Sequence, residues 1–519
     1  MTVAVLLALM GCNPSGKEPV SAIVTQAEIC GTTARYRQTV GGVPPDGAVI
    51  SLHFSKPVDV SDSDAVVFDG GTLVITPGAD KYSVELRPAQ TLKPLHSYTF
   101  ALREGVVFGV RLPEDYIYYF TTTYDPSDKF PRISDEELLT LVQKQTFRYF
   151  WDYAHPDCGM ARERLGSGNT VATGGSGFGV MTLPVAVERG FITRDEAAGR
   201  LRKIVAFLSG KAERFHGAFP HWIDGTTGAA LPFSENDNGG DLVETSFLME
   251  GLLTASRYFD APEEEDIRSG IDAIWRAVEW DWYTQGKNVL YWHWSPDKGW
   301  AMNMRITGWN EGLMAYVLAA SSPTHPVPAA VYHEGWASGG SMKPGVNGPL
   351  FFTHYSFLGL DPRGLKDRYA DYWEQNVAHA RYNYDYCVRN PKGFAGYSAD
   401  CWGLTASDIP GGYTASSPSN DHGTIAPTAA VASYPYLPEE SLRAMRHFYY
   451  VLGDKLWGEY GFYDAFSLSS VWFAGSYIAI DQGPIVVMIE NGRSGLLWKH
   501  FMTHPDVKRG LATLGFSVD

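Results

Sequence analysis

Cysteine is scarce in this chain: five residues in 519. Cys30, Cys158, Cys387 and Cys401 have no metal-ligand spacing, which excludes a cysteine-bound metal. A Cys387–Cys401 disulfide is conceivable in an exported protein, but spacing does not decide it. Charge is also sparse, at 19% of residues, and positive charge falls short: 42 Lys and Arg face 58 Asp and Glu, a net of −16. That balance argues against nucleic acid or an anionic membrane surface as partner, and against a polyanionic substrate such as a polyuronate. After the first segment no run of eighteen apolar residues occurs, so no membrane span is expected. No serine sits in a Gly-x-Ser-x-Gly elbow. The run Gly174-Gly175-Ser176-Gly177-Phe178-Gly179 lacks the preceding strand and following βαβ pattern of a dinucleotide site and is expected in a loop, 169–180. No repeat of fixed period is visible, which sets aside a plain helical solenoid.

Apolar residues make up 45% of the chain, so it is globular, and its length suggests two or more domains. Aromatics are plentiful, with 15 Trp, 29 Tyr and 26 Phe. Rings of this kind stack on the C–H faces of sugars, although large cores also consume them. The first residues are apolar and end Leu9-Met10-Gly11 before Cys12. This resembles a bacterial lipobox, with Cys12 lipidated, although the usual positive n-region is absent and an ordinary cleaved signal is the alternative. The expectation is an exported monomer tied to the bacterial envelope, periplasmic or outer face, touching the membrane only through that anchor.

Three segments follow. Residues 1–22 read as signal and tether. Residues 23–124 hold short alternating runs, among them 48–54, 72–76, 82–86, 98–102 and 116–120, and read as a small all-β sandwich of immunoglobulin type. From 129 to 519 the periodicity turns helical. Ser134 with Glu137 and Thr193 with Glu196 form capping boxes, and Ile267, Ile271, Ile274, Trp275 and Val278 make an apolar stripe. Paired helices with long loops rich in Gly, Trp and Tyr describe an α/α toroid whose loop face forms a cleft.

The densest chemistry lies between Glu235 and Glu244, four carboxylates in Glu-Asn-Asp-Asn-Gly-Gly-Asp-Leu-Val-Glu. Asp241 and Glu244 are three apart and share a helix face, with Asp237 just outside. Acid/base work on a glycosidic bond needs such carboxylates, one to protonate the leaving oxygen and one to activate water or attack. The same pair also reads as a capping box. Glu311, beside Trp309 in Thr-Gly-Trp-Asn-Glu-Gly, opens a helix and reads either as a cleft acid or as a first-turn acid favouring the helix dipole. Asp400 and Asp464 sit in aromatic loops, and Asp481 before Gln-Gly-Pro equally reads as an N-cap. His221, His333, Trp222, Trp309, Trp336 and Trp402 are candidate substrate contacts, with the expected cleft lined by Trp222, Trp309 and Trp336.

Taken together, residues 173–179, Gly240-Asp241-Leu242-Val243-Glu244-Thr245, Trp309-Asn310-Glu311-Gly312 and Asp481-Gln482-Gly483-Pro484 resemble glycoside hydrolase family 144, proteins earlier labelled glycoamylase-like. The likeness covers roughly 130–515. It implies an (α/α)6 toroid that cleaves β-1,2-glucan or its oligosaccharides by an inverting route, with no metal or organic cofactor. It also implies that Asp237, Asp241, Glu244 and Glu311 are the catalytic set; we assign Glu311 as general acid, with the other three supplying the base and holding sugar hydroxyls. The older label implies α-1,4-glucan instead, and a catalytically silent surface glycan-binding lipoprotein stays open.

Overall fold

The structure, a computed structural model, describes residues 18–518 apart from Asp62 and 337–346. The signal segment with Cys12 lies outside the described residues. The chain divides into two compact units, one running to Asp125 and including Leu468–Val471, the other made of Pro126–Ser467 and Trp472 onward.

The first unit is all β. One sheet has five strands in the order Thr32–Thr33, Val24–Ile29, Ile50–Phe54, Ser83–Pro88, Leu73–Pro77. A second has four, ordered Thr39–Val43, Tyr116–Thr122, Ser97–Leu102, Val66–Phe68. Alternate residues of these strands point inward, so Ile50, Leu52, Phe54, Val84, Leu86, Phe100, Leu102 and Phe120 share one core. The expected tether is shorter than 22 residues. Val20 and Ser21 already pair in parallel with Val110 and Arg111, because the adjoining Ala22 is buried in the same core.

The second unit is the (α/α)6 toroid. Its first helices are α1 Asp135–Trp151, α2 Thr173–Glu188, α3 Arg194–Gly210, α4 Leu242–Tyr258, α5 Glu265–Arg276 and α6 Leu313–Ser321, and a further long one is Ala479–Ser494. Burial separates two rings. In α3 and α5 the buried residues fall on one stripe, such as Ile267, Ile271, Ile274 and Trp275. In α2, α4 and α6 nearly every residue is buried, which marks inner helices surrounded by others. Both expected capping boxes form, Ser134 with Glu137 and Thr193 with Glu196. No helix among the described residues is long and apolar enough to cross a membrane.

The glycine-rich run is the clearest departure from expectation. It is the first two turns of α2 and not a loop. Glycine costs helix stability, yet here it lets two inner helices touch through their backbones. A Cβ on Gly177 would stand 2.5 Å from the Leu248 Cα and 2.6 Å from the Phe247 carbonyl carbon. A Cβ on Gly251 would stand 2.7 Å from the Gly177 carbonyl carbon. Asp481 is a second correction. The helix that holds it begins at Ala479 with Ile478 as N-cap, so Asp481 lies inside the first turn, buried. Cys387 and Cys401 are buried free thiols.

Candidate active site

Asp241 is the N-cap of α4 and accepts the Glu244 N–H at 2.9 Å. The reciprocal half of a capping box is missing. Glu244 turns its carboxylate across to α2 and accepts the Gly174 N–H at 2.7 Å. The motif therefore has two functions. Asp241 ends the helix, and Glu244 is released toward a cavity of about 470 Å³.

That cavity is walled by Glu163, Arg164, His221, Trp222, Phe233, Glu244, Trp292, Glu311, Tyr355 and Tyr413, with Phe247 and Phe351 among its apolar residues. Glu311 reaches it from a turn just before α6, whose N-cap is Gly312 and not an acid. Asn310 Oδ1 accepts the Gly312 N–H at 2.8 Å and Ser356 Oγ donates to the Glu311 carbonyl at 2.6 Å, which fixes the turn. Burial raises the Glu311 carboxyl, the charges of Glu244 and Asp241 add to that, and it reaches about 7. Burial likewise holds Glu244 above the ordinary carboxylate range, although the His221 ring opposes the shift.

Asp237 and Asp241 stand behind the wall. His221 Nδ1 and the Trp292 indole N–H lie 3.0 and 3.1 Å from Asp241 Oδ2, so this carboxylate orients two cavity side chains. Asp237 Oδ1 is buried without a donor. Its neighbour His293 Nε2, 3.6 Å away, already accepts the Asn238 and Gly239 N–H groups. Burial and the Asp241 charge push Asp237 up to about 7. For His221 burial works downward, but Glu244, Asp241 and Asp237 outweigh it and lift the ring to about 9, an imidazolium at neutral pH. One cation thus partly neutralises the acid cluster. His221, Asp237 and Asp241 could bring a donor atom each within 4.8 Å of one another. His221 Nδ1 and both Asp241 oxygens are, however, already committed to hydrogen bonds within the group.

The opposite wall carries a network that sequence reading missed in part. Arg164 binds Glu163 at 3.0 Å and Asp408 at 3.1 Å, and Asp408 N–H donates to Asp464 at 2.7 Å. Tyr355 OH donates to Asp481 at 3.3 Å. Asp464 Oδ1 and Asp481 Oδ2 are both buried without a donor. Burial raises both; the charge of Asp408 adds to that at Asp464, which reaches about 7, and the charge of Asp464 adds to it at Asp481. The adjacent opposite charges of Glu163 and Arg164 look in sequence like a solvated pair, and nothing in their spacing marks them. Tyr355, Tyr413 and Phe233 carry no spacing signal either.

Of the expected substrate contacts, His221 and Trp222 line the cavity. Phe233 stacks on the His221 ring with centroids 4.1 Å apart and meets Trp222 edge-on at 5.0 Å. Trp309, Trp336 and Trp402 are buried core residues, packed on Phe357, Tyr316 and Tyr384. His333 lies off the cavity and pairs with Tyr369 OH at 3.0 Å. Asp400 is exposed, 3.9 Å from Arg443. Asp481 sits behind the wall through Tyr355. Large rings are drawn inward as readily as toward a ligand, which is why residue type alone misplaced them. Trp402→Ala is therefore expected to cost about 3–5 kcal/mol of stability with oligosaccharide affinity unchanged. Trp222→Ala is expected to raise KM several-fold at an unchanged melting temperature. Paired melting and kinetic assays check both.

Comparison with known proteins adds to this geometry. A family model described as glycoamylase, putative glucoamylase, matches residues 303–505. The endo-β-1,2-glucanase of Chitinophaga pinensis, solved with sophorotriose and glucose, is 53% identical and superimposes with a TM-score of 0.73, covering 74% of this chain and 99% of that one. The chain belongs to glycoside hydrolase family 144. A second solved relative in this family, the β-1,2-glucanase of Parabacteroides distasonis, is 37% identical with a TM-score of 0.72, over 96% of this chain and 74% of its own. An exo β-1,2-glucooligosaccharide sophorohydrolase acting at the non-reducing end, also from Parabacteroides distasonis, is 47% identical over 417 residues, 73% of this chain. The chain covers 58% of that curated relative's length.

Proposed function

We propose that this family 144 member hydrolyses β-1,2-glucan or its oligosaccharides with inversion. The observation that carries the reading is the pair of carboxyls on one cavity, Glu311 raised to about 7 and Glu244 anchored on the Gly174 N–H beside a protonated His221. Glu311, still protonated near neutrality, gives its proton to the leaving glycosidic oxygen. Glu244, kept ionisable by the His221 cation, takes a proton from the water that attacks the anomeric carbon. Asp241 orients His221 and Trp292, and Asp237 lies beside them to complete the acid group. Two relatives named for β-1,2-glucan, at 47% and 53% identity, support the linkage. The reading extends to an exported, lipid-anchored monomer whose N-terminal sheets are an immunoglobulin-like spacer.

Reducing-sugar release from soluble β-1,2-, β-1,3- and α-1,4-glucans tests it, with proton NMR of the first product formed. The expected result is activity on the β-1,2 polymer and an anomer of opposite configuration to the substrate bond. Activity on α-1,4-glucan alone, or no release from any polymer, would replace the reading by the glucoamylase or silent-binder alternative. A retained configuration would replace the water step by a covalent one.

A further inference from the structure

Outside the catalytic cavity, a cleft of about 360 Å³ is lined by Glu279, Asp281, Trp282, Gln285, Gly286, Trp300 and His325. It shares no residue with the catalytic cavity. Its volume lies within the range of small-ligand sites.

Trp282 is 40% exposed, unusual for the largest side chain. One face of its indole stacks on the His216 ring, centroids 3.7 Å apart at 14°, so the exposure belongs to the other face. Trp294 closes one edge at 89°, and Trp300 extends the wall at 6.3 Å and 30°. The platform is braced on both sides by non-glycine residues in left-handed backbone, His216 at φ 50° and Gln285 at φ 53°. Such conformations cost on the order of 1 kcal/mol each and persist where the surroundings hold them for a purpose. His216 Nδ1 lies 2.8 Å from Glu279, which keeps the stacked ring in place.

The polar groups around the indole face complete a recognisable chemistry. Asp281 Oδ1 is tied to His325 Nδ1 at 3.0 Å and to the Trp282 N–H at 3.1 Å. Gln285 Oε1 accepts from Lys287 Nζ at 3.3 Å, while its amide nitrogen is buried without a hydrogen-bond partner. A buried amide donor left open is costly unless something completes it. An aromatic face with flanking carboxylates and an amide donor fits the C–H face and hydroxyls of a pyranose. The two carboxylates repel an anionic ligand, so a uronate or phosphate is disfavoured.

We infer that Trp282, Trp300, Asp281 and Gln285 form a second carbohydrate-binding site, which holds a neutral glucan segment on Trp282 away from the bond being cut. The identity of the glucan as β-1,2-linked rests on the proposed function; the site itself does not. Such a site raises the local concentration of polymer at the enzyme and leaves short substrates unaffected.

Affinity electrophoresis through gels cast with β-1,2-, β-1,3- or α-1,4-glucan tests it, using the full chain with Glu311→Gln to keep the polymer intact. The parent is expected to be slowed in a neutral glucan gel. Adding Trp282→Ala or Gln285→Ala should weaken retention roughly fivefold or more. The same substitutions in the active enzyme should leave kcat/KM on short oligosaccharides within about twofold, which also certifies the fold. Unaltered retention in both variants would overturn the inference, as would absence of retention in every gel. An equal loss on short oligosaccharides would also overturn it, because the ring would then only support the strand His293–Trp294 beside Asp241. If the wild type cuts no glucan yet Trp282-dependent retention persists, the proposed function fails and this site stands.

Discussion

Glu311→Gln is expected to lower turnover on the preferred glucan by about 10²-fold or more, with melting temperature and substrate affinity close to wild type. The amide keeps the shape and the hydrogen-bonding capacity of the acid but has no proton to give. Its backbone anchors, the Asn310 bond to Gly312 and the Ser356 bond to the Glu311 carbonyl, are untouched by the change. The pH profile offers an independent reading. Glu311 must be protonated, and burial places it near 7, so kcat/KM of the wild type should fall as pH rises through about 7. The variant should lose that alkaline limb. The charge of Glu244 adds to the raised value of Glu311, so Glu244→Gln should shift that limb toward lower pH. Turnover near wild type in the Glu311 variant would remove Glu311 from the role of acid.

Gly177→Ala is expected to destabilise the toroid by about 3 kcal/mol, a large effect for one methyl group. The added carbon meets the backbone of α4 at Phe247 and Leu248, and backbone in the middle of a buried helix cannot rotate aside as a side chain can. Gly251→Ala should act alike from the other helix. The double variant should cost less than the sum, since the first substitution already forces α2 and α4 apart. Calorimetric melting of the three proteins checks this. A Gly177→Ala protein within about 0.5 kcal/mol of wild type would mean that the two helices accommodate the methyl group by a small shift.

Much of the fold was legible because its signals are local. Two capping boxes, the stripe on α5 and the alternation of the β strands each depend on residues a few positions apart, and all appear where their spacing puts them. The glycine-rich start of α2 was not, because its reason lies some seventy residues away on α4. Propensity alone makes four glycines in six residues a loop, and only the tertiary contact reverses that.

The candidate site divides the same way. Glu244 and Glu311 were legible as acids near helix starts beside small residues. Their partners Glu163, Arg164, Tyr355 and Tyr413 come from segments remote in sequence, a loop, a short 3-10 turn and a strand, which carry no mark of convergence. Of the capping box offered for Asp241 and Glu244 only the Asp241 half forms, because Glu244 turns instead to the Gly174 N–H. Trp222 lines the cavity as expected, whereas Trp309, Trp336 and Trp402 went to the core, because burial and stacking on sugar ask for the same side chain.

Mooring Glu244 to the neighbouring inner helix has an evolutionary corollary. A carboxylate held by its own helix end could drift whenever that end frayed or its preceding loop changed length. Glu244 is instead fixed by the spacing of α2 and α4, set where Gly177 meets the backbone of Phe247 and Leu248. Loops 216–240 and 286–309, which carry His221, Trp222, Phe233 and Trp292, can lengthen, shorten or exchange rings without moving it. Divergence between internal cutting and release from chain ends is thus expected to run through those loops, over a reactive core that such divergence leaves in place.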